Sequence, residues 1–391
     1  MPTRGRIGLW VVGGLGCVVV AGAVFWLSTN GRPSPGPSAA VIDRATPLPQ
    51  LTELIRQGDS RALAEMFQRS AVTPEFVTKP LSEAEAAQWV DGINALRSSF
   101  LQFNPYGRAS AITVVGRVLQ RLSIDPAPAN WADALQPARD VITAGLNDTN
   151  VDVRVSALDE FGKLWSWTPG RALLAPEEDH LANWKQGIHG PVVRRLGDRE
   201  PKSRMAAIQS LSQLPIDSAA APAIAYLDDP KSPEVRKQVI VSFARRPSLL
   251  SEDALLKHSF DNEAGINELV AVVLKARGLT QEQVSLGSMI FHPKPDIRAS
   301  VIPLLKNRTD IDPAVWLLKL SHDDSETVRL GAVDALAARM TPELGQRLAE
   351  MAAKDSSSAV RKAASKFLPE AEKTAALPPL PGSPSLNPKA N

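Results

Sequence analysis

A chain of 391 residues with 44% hydrophobic and 22% charged side chains has the ordinary composition of a folded protein. Lys and Arg number 44 against 42 Asp and Glu, and removing Arg4, Arg6 and Arg32 leaves 41 basic residues for everything after residue 32. A balance that even speaks against nucleic acid as a partner, because binding a phosphate backbone needs a concentrated basic stripe. The single cysteine, Cys17, falls in an apolar N-terminal run, which removes disulfide, thiolate-metal and cysteine-nucleophile chemistry from the rest of the chain.

Residues 1–6 carry Arg4 and Arg6, and residues 7–27 then run without a charged or strongly polar side chain. At about 1.5 Å per residue such a helix spans about 30 Å, the thickness of a bilayer's hydrocarbon core. Trp10 and Trp26 sit near its ends, where amphipathic rings prefer the interface. The positive charge ahead of the run predicts a single-pass anchor in the cell membrane, with residues 1–6 in the cytoplasm and the body outside it. Two rival readings are a cleaved signal and a lipoprotein. Cutting after Ala21–Ala23 would leave four more apolar residues behind, and Gly14 stands where a lipobox wants an aliphatic side chain. Gly13, Cys17 and Ala21 also make a small-residue row that could pack two anchors together.

Residues 28–47 are rich in Pro, Ser and Gly and read as an extended linker. Residues 48–146 read as divergent helical pairs that begin the stack. Ser82 followed by Glu85 predicts a capping box, and a faint copy of the later repeat starts at Arg108.

From residue 147 to 368 one pattern recurs. Its anchors are Arg154, Arg204, Arg236, Asn267, Arg298, Arg329 and Arg361, spaced by 50, 32, 31, 31, 31 and 32 residues. An Asp stands six residues ahead at Asp148, Asp198, Asp261, Asp323 and Asp355; Asp229 is seven ahead, and His292 takes the place before Arg298. Three residues after each anchor stands Ala or Val, and seven after it stands Leu or Phe. Offsets of three, four and seven share a helix face, so each anchor opens an amphipathic helix. A unit of about 31 residues holds two helices and two turns. Self-similarity of this period predicts a stacked solenoid. The Asp is expected to cap the helix, and the Arg to pair with its own Asp or that of the next repeat, as a structural ladder.

"DTNVDVRVSALDEFGKL", "DDSETVRLGAVDALAAR" and "DSSSAVRKAASKFL" resemble HEAT repeats, specifically the short kind also found in bilin lyase subunits. The resemblance implies an all-α fold: a right-handed superhelix of antiparallel helix pairs with a concave inner face. It leaves activity open, since such arrays include scaffolds, lyases, a metal hydroxylase and DNA glycosylases. The hydroxylase branch uses His-Glu pairs, and no His here is followed by Glu.

Where the period breaks, function is sought. The long gap before Arg204 predicts an insertion at about 165–190 carrying Trp165, Trp167, Trp184 and His189. Either the Trp residues cover a longer helix, or they form an aromatic recognition patch on a loop. Helix 264–276 is apolar nearly all round, with Leu269, Val272 and Val273 assigned outside the core-facing stripe as a possible binding surface. Residues 369–391 form a Pro-rich tail. No HExxH, G-x-S-x-G, P-loop or Rossmann glycine run is present, and no cofactor is expected. The sum is a membrane-tethered, non-catalytic scaffold for a protein or peptide. The alternatives are a lyase- or hydrolase-type site near the insertion and a DNA-processing solenoid.

Overall fold

The computed structural model describes residues 41–368 except 72, 74–78, 125–126, 167–174, 307 and 309. Every regular element among them is helical, in keeping with the all-α reading. The apolar run 7–27, Trp167 and the tail 369–391 lie outside the described residues. Among the described residues, no helix is long and apolar enough to cross a membrane.

The chain divides after Phe243 into two compact units. The first contains Leu48–Arg56 (α1), Ser60–Arg69 (α2), Glu83–Ser99 (α3), Pro105–Leu122 (α4), Leu135–Leu146 (α5) and Val151–Ser166 (α6). It continues with Ala175–Arg194 (α7), Pro201–Ser212 (α8), the short Asp217–Ala220 (α9) and Pro233–Phe243 (α10). Helices α4, α6, α8 and α10 pack side by side in one layer, and α3, α5 and α7 in the other.

The second unit contains Glu252–Lys257 (α11), Ala264–Ala276 (α12), Gln281–Ile290 (α13), Pro295–Leu305 (α14), Pro313–Ser321 (α15), Glu326–Ala337 (α16), Pro342–Lys354 (α17) and Ser358–Ser365 (α18). Anchor helices α14, α16 and α18 pack closely in sequence, whereas α12 and α14 approach each other less closely.

Local chemistry sets the boundaries. Ser82 and Glu85 form the expected capping box at α3, and Thr280 with Gln283 forms another at α13. Proline opens α4, α8, α14, α15 and α17, where a missing N–H costs nothing. At the end of α12, Gly278 takes φ +104°, which lets the Leu279 amide bond back to the Leu274 carbonyl.

The apolar frame behaves as its spacing requires. Ala157, Ala207, Val239, Val270, Val301, Ala332 and Ala364, three residues past each anchor, are all buried. So are Phe161, Leu211, Phe243, Leu274, Leu305, Leu336 and Leu368, seven residues past it. The small residues admit the neighbouring helix and the large ones fill the space between layers.

The polar frame is more specific than the expectation. In four repeats the Asp accepts from the amide two residues on, at the N-cap position. Asp148 accepts from Asn150, Asp198 from Glu200, Asp323 from Ser325 and Asp355 from Ser357. This Asx turn sets the entry to the helix, and the N-cap residue does the capping itself at Asn150 and Ser357.

The Arg then joins two repeats. Its Nη1 donates to backbone carbonyls in the turn that precedes its own helix: Arg154 to Asp148 and Thr149, Arg204 to Asp198 and Arg199, Arg329 to Asp323 and Asp324. Arg361 does the same with Asp355 and Ser356. Its Nε and Nη2 fork onto the Asp of the following repeat. Arg154 grips Asp198 at 2.8 and 2.9 Å, Arg298 grips Asp323 at 2.7 and 2.7 Å, and Arg329 grips Asp355 at 2.9 and 2.9 Å. Of the two pairings open to the sequence, only the one to the next Asp forms. The turn geometry gives the reason: with its own Asp facing the N-cap amide, the guanidinium reaches only that residue's carbonyl.

Arg108 makes the same fork onto Asp148 at 2.5 and 2.9 Å, which carries the ladder into residues 48–146. Arg204 approaches Asp229 at 3.4 Å through Nε alone, without hydrogen-bond geometry. Asp229 is the carboxylate with seven residues instead of six before its Arg, and it closes its turn on two amides, those of Lys231 and Ser232. Arg236 donates to the Asp229 carbonyl.

The Asn267 repeat departs on both sides at once. His292 stands where the facing Asp should be, and its Nδ1 accepts from the Lys294 amide at 3.0 Å, the bond an Asp would make. The ring lies edge-on to Phe260, 4.6 Å between centroids, and the Asn267 Oδ1 is buried without a hydrogen-bond partner. No charged fork forms at this junction: Asn267 and His292 stand where an Arg and its facing Asp stand elsewhere.

Candidate functional site

The expected insertion is mostly helix. α7 runs 20 residues and takes up the described part, 175–190, which is the longer-helix alternative for that part; 167–174 lie outside the described residues. Trp184 is 5% exposed, and its indole N–H donates to the Leu135 carbonyl at the start of α5. It is a core residue, placed there because a buried indole needs one acceptor and the first carbonyl of α5 supplies it.

Trp165 and His189 do come together. The Trp165 ring lies 5.3 Å from Phe161 and 5.9 Å from His189, and it remains half-buried. Lys185 donates to the Trp165 carbonyl at 3.0 Å, and burial lowers the pKa of its ammonium. The His189 Nε2 lies 2.9 Å from the Ala219 carbonyl, which holds that nitrogen as the protonated donor. With Nε2 engaged, the imidazole is a fixed wall of an aromatic ledge. Such a ledge can seat an apolar or cationic side chain.

In the second unit the three apolar residues set off the core stripe separate. Val272 is 61% exposed, Leu269 is half-buried, and Val273 is 6% exposed. Val273 is corrected to the core: it lies seven residues after the buried Ile266, on the same stripe as Val270. Val272 stands five residues past its anchor, and the same position in α14 is the exposed Pro303, followed by the exposed Leu304. In α16 that position carries the exposed Asp334, and just past the end of α18 the exposed Lys366. An apolar strip therefore marks α12 and α14 and stops where charge resumes.

A hollow of about 130 Å³ opens among α11, α13 and α15. Leu256, Ile290, Phe291 and Trp316 line it; Lys319 pairs with Asp253 at its rim and stands 5.3 Å over the Phe291 ring.

One buried acid stands apart from the ladder. Glu160 on α6 is 3% exposed and fits beside α4 only because Gly116 is a glycine, since a Cβ there would lie 1.8 Å from its Oε1. Burial pushes its pKa up to about 7, Lys163 at 3.6 Å opposes that, Asp159 adds to it, and Arg117 opposes it weakly. A folded-state pKa above the ordinary 4.5 means that the folded chain holds this proton more tightly than the unfolded chain does. Its contribution to stability is thus greatest below pH 4.5, declines as pH rises from there to about 7, and is flat beyond. At ~1.4 kcal/mol per unit the decline amounts to about 3 kcal/mol. Glu160→Gln is expected to remove that slope, so that urea denaturation at pH 8 finds the variant more stable than wild type and at pH 4 does not. Parallel pH curves for the two proteins would contradict it.

Among the described residues, no cluster of His, Cys, Asp and Glu could hold a metal ion. The structural ladder and the partner-facing candidates occupy different positions of the repeat.

Residues 285–368 match the family model of HEAT repeats. No curated protein matches the chain. Among solved structures, the chain is similar to the karyopherin Kap121p, in a crystal structure with the extreme C-terminus of the protein phosphatase Cdc14p. The identity is 14% and the TM-score 0.39, over 82% of this chain and 41% of that one. The chain thus spans less than half the length of the karyopherin.

Proposed function

We propose that this protein is a membrane-tethered HEAT-repeat scaffold that holds a protein or peptide and has no catalytic step of its own. The observation that carries the reading is the apolar strip of Val272 and Pro303, exposed at the same position in successive repeats, with Leu304 beside it, and bounded by Asp334 and Lys366. Exposed apolar surface with a charged rim is the composition of a docking face. The alternative of a lyase- or hydrolase-type site at the insertion draws less support, because Trp184 lies in the core and His189 is engaged with a carbonyl.

Residues 7–27 supply the tether in this reading, with the repeats on the extracytoplasmic side. Protease added to intact cells should then digest the body and spare residues 1–6.

Full-length protein extracted in detergent is expected to capture a partner from the same membranes. Val272→Glu with Leu304→Glu should lower that capture at least tenfold without shifting the melting temperature by more than a degree or two, both residues being exposed. Equal capture by the variant, or turnover of a small molecule with no partner retained, overturns the proposal.

A further inference from the structure

The long α7 has a second consequence. It ends at Arg194, and the 3-10 turn Arg195–Gly197 that follows delivers the chain to Asp198, so Arg194, Arg195 and Arg199 all gather beside the rung formed by Arg154 and Asp198. These residues, with Thr149, Asn150, Val151 and Glu200, line an open groove of about 580 Å³. A volume of that size is within the range of ligand sites.

The charges in the groove do not cancel. Asp198 is already occupied by both arms of Arg154, by the Ser203 hydroxyl and by the Glu200 amide. Burial alone would raise its carboxyl; those bonds outweigh it, so Asp198 stays ionised below the usual carboxylate range. Arg195 comes no nearer to it than 3.5 Å, and the Arg195 Nε is buried without a hydrogen-bond partner. Arg194 and Arg199 are exposed and pair with no carboxylate among the described residues. Against them stands only Glu200. The groove also lies at the start of α6 and α8, whose dipoles add positive potential.

We propose that this groove is an anion site for a partner polypeptide, seating a phosphoryl group or clustered carboxylates between Arg194 and Arg199. Guanidinium groups match such oxyanions through paired N–H bonds. A peptide suits the site better than a nucleic acid because the positive charge is confined to one groove of a near-neutral chain, 41 basic against 42 acidic residues after residue 32. The inference rests on the scaffold reading and gives one chemistry to its partner.

Fluorescence anisotropy of the full-length protein tests it with a labelled peptide of alternating phosphoserine and glutamate. Saturable binding is expected, weakened at least tenfold by Arg194→Gln with Arg199→Gln. The charge-matched control Lys354→Gln with Lys362→Gln, two exposed lysines of the second unit, should change it less than twofold. An all-glutamate version of the peptide identifies the preferred group, since binding of either peptide that the arginine variant abolishes supports the site. No saturation, equal losses in the two variants, or tighter binding of a single-stranded oligonucleotide through the same arginines overturns it. If the probe fails while partner capture through Val272 and Leu304 persists, the groove assignment alone falls.

Discussion

Arg329→Ala is expected to destabilise the second unit by about 3–5 kcal/mol, the usual cost of removing one partner from a buried ion pair. The side chain is largely buried, and its loss removes the fork onto Asp355 and the bonds to the carbonyls of Asp323 and Asp324. The Asp355 carboxylate keeps the Ser357 amide but loses both guanidinium bonds while its side chain stays buried. Because that is the larger part of the cost, Asp355→Ala in the same chain should restore some of the loss, and the two single effects should exceed the double. Denaturant unfolding of the four proteins of the cycle measures it. A loss below 1 kcal/mol, or strictly additive effects, would place the stability elsewhere. The ladder also has an acid limit: Asp323 and Asp355 are held below the ordinary carboxylate pKa, burial opposing and the facing Arg and turn amide prevailing. Their stabilisation is full above pH 4 and fades as pH falls through the lowered values.

The second large effect separates two tryptophans of one repeat. Trp184→Ala should cost about 3–5 kcal/mol, since it empties an enclosed site and removes the indole's bond to the Leu135 carbonyl. Trp165→Ala should cost less than about 1.5 kcal/mol, because that ring is half-buried against Phe161 and His189. Urea midpoints compare them directly. Similar losses at both sites would mean that the aromatic ledge belongs to the core and not to a surface.

Much of this architecture is legible in the residues because periodicity reports burial. Offsets of three and seven from each anchor identified core positions, and those side chains are buried at every repeat. The polar frame was less legible, since spacing alone allows the Arg either Asp, and only the Asx turn decides between them. Trp184 was misplaced for a similar reason: composition marks a Trp-rich stretch as unusual but says nothing of the carbonyl on α5 that draws the indole inward. Val273 was misassigned by one helical step, the margin by which a nearly all-apolar helix conceals its orientation. The arginine groove had no periodic signal at all. Arg194 and Arg195 were visible as a pair, but their meeting with Arg199 depends on where α7 ends.

The interruption of the ladder at Asn267 and His292 has a consequence for how the second unit responds as a whole. A stack of repeats behaves as a line of elements, each with its own folding free energy and a coupling to its neighbours. Where charged forks join α14 to α16 and α16 to α18, each junction adds a buried ion pair to that coupling. Across the interruption no such fork contributes, so the coupling there is expected to be smaller. The exposed Val272 lies on the near side of that break and Pro303 on the far side. A ligand spanning both would restore the missing coupling, and its binding energy would be felt as order along the line.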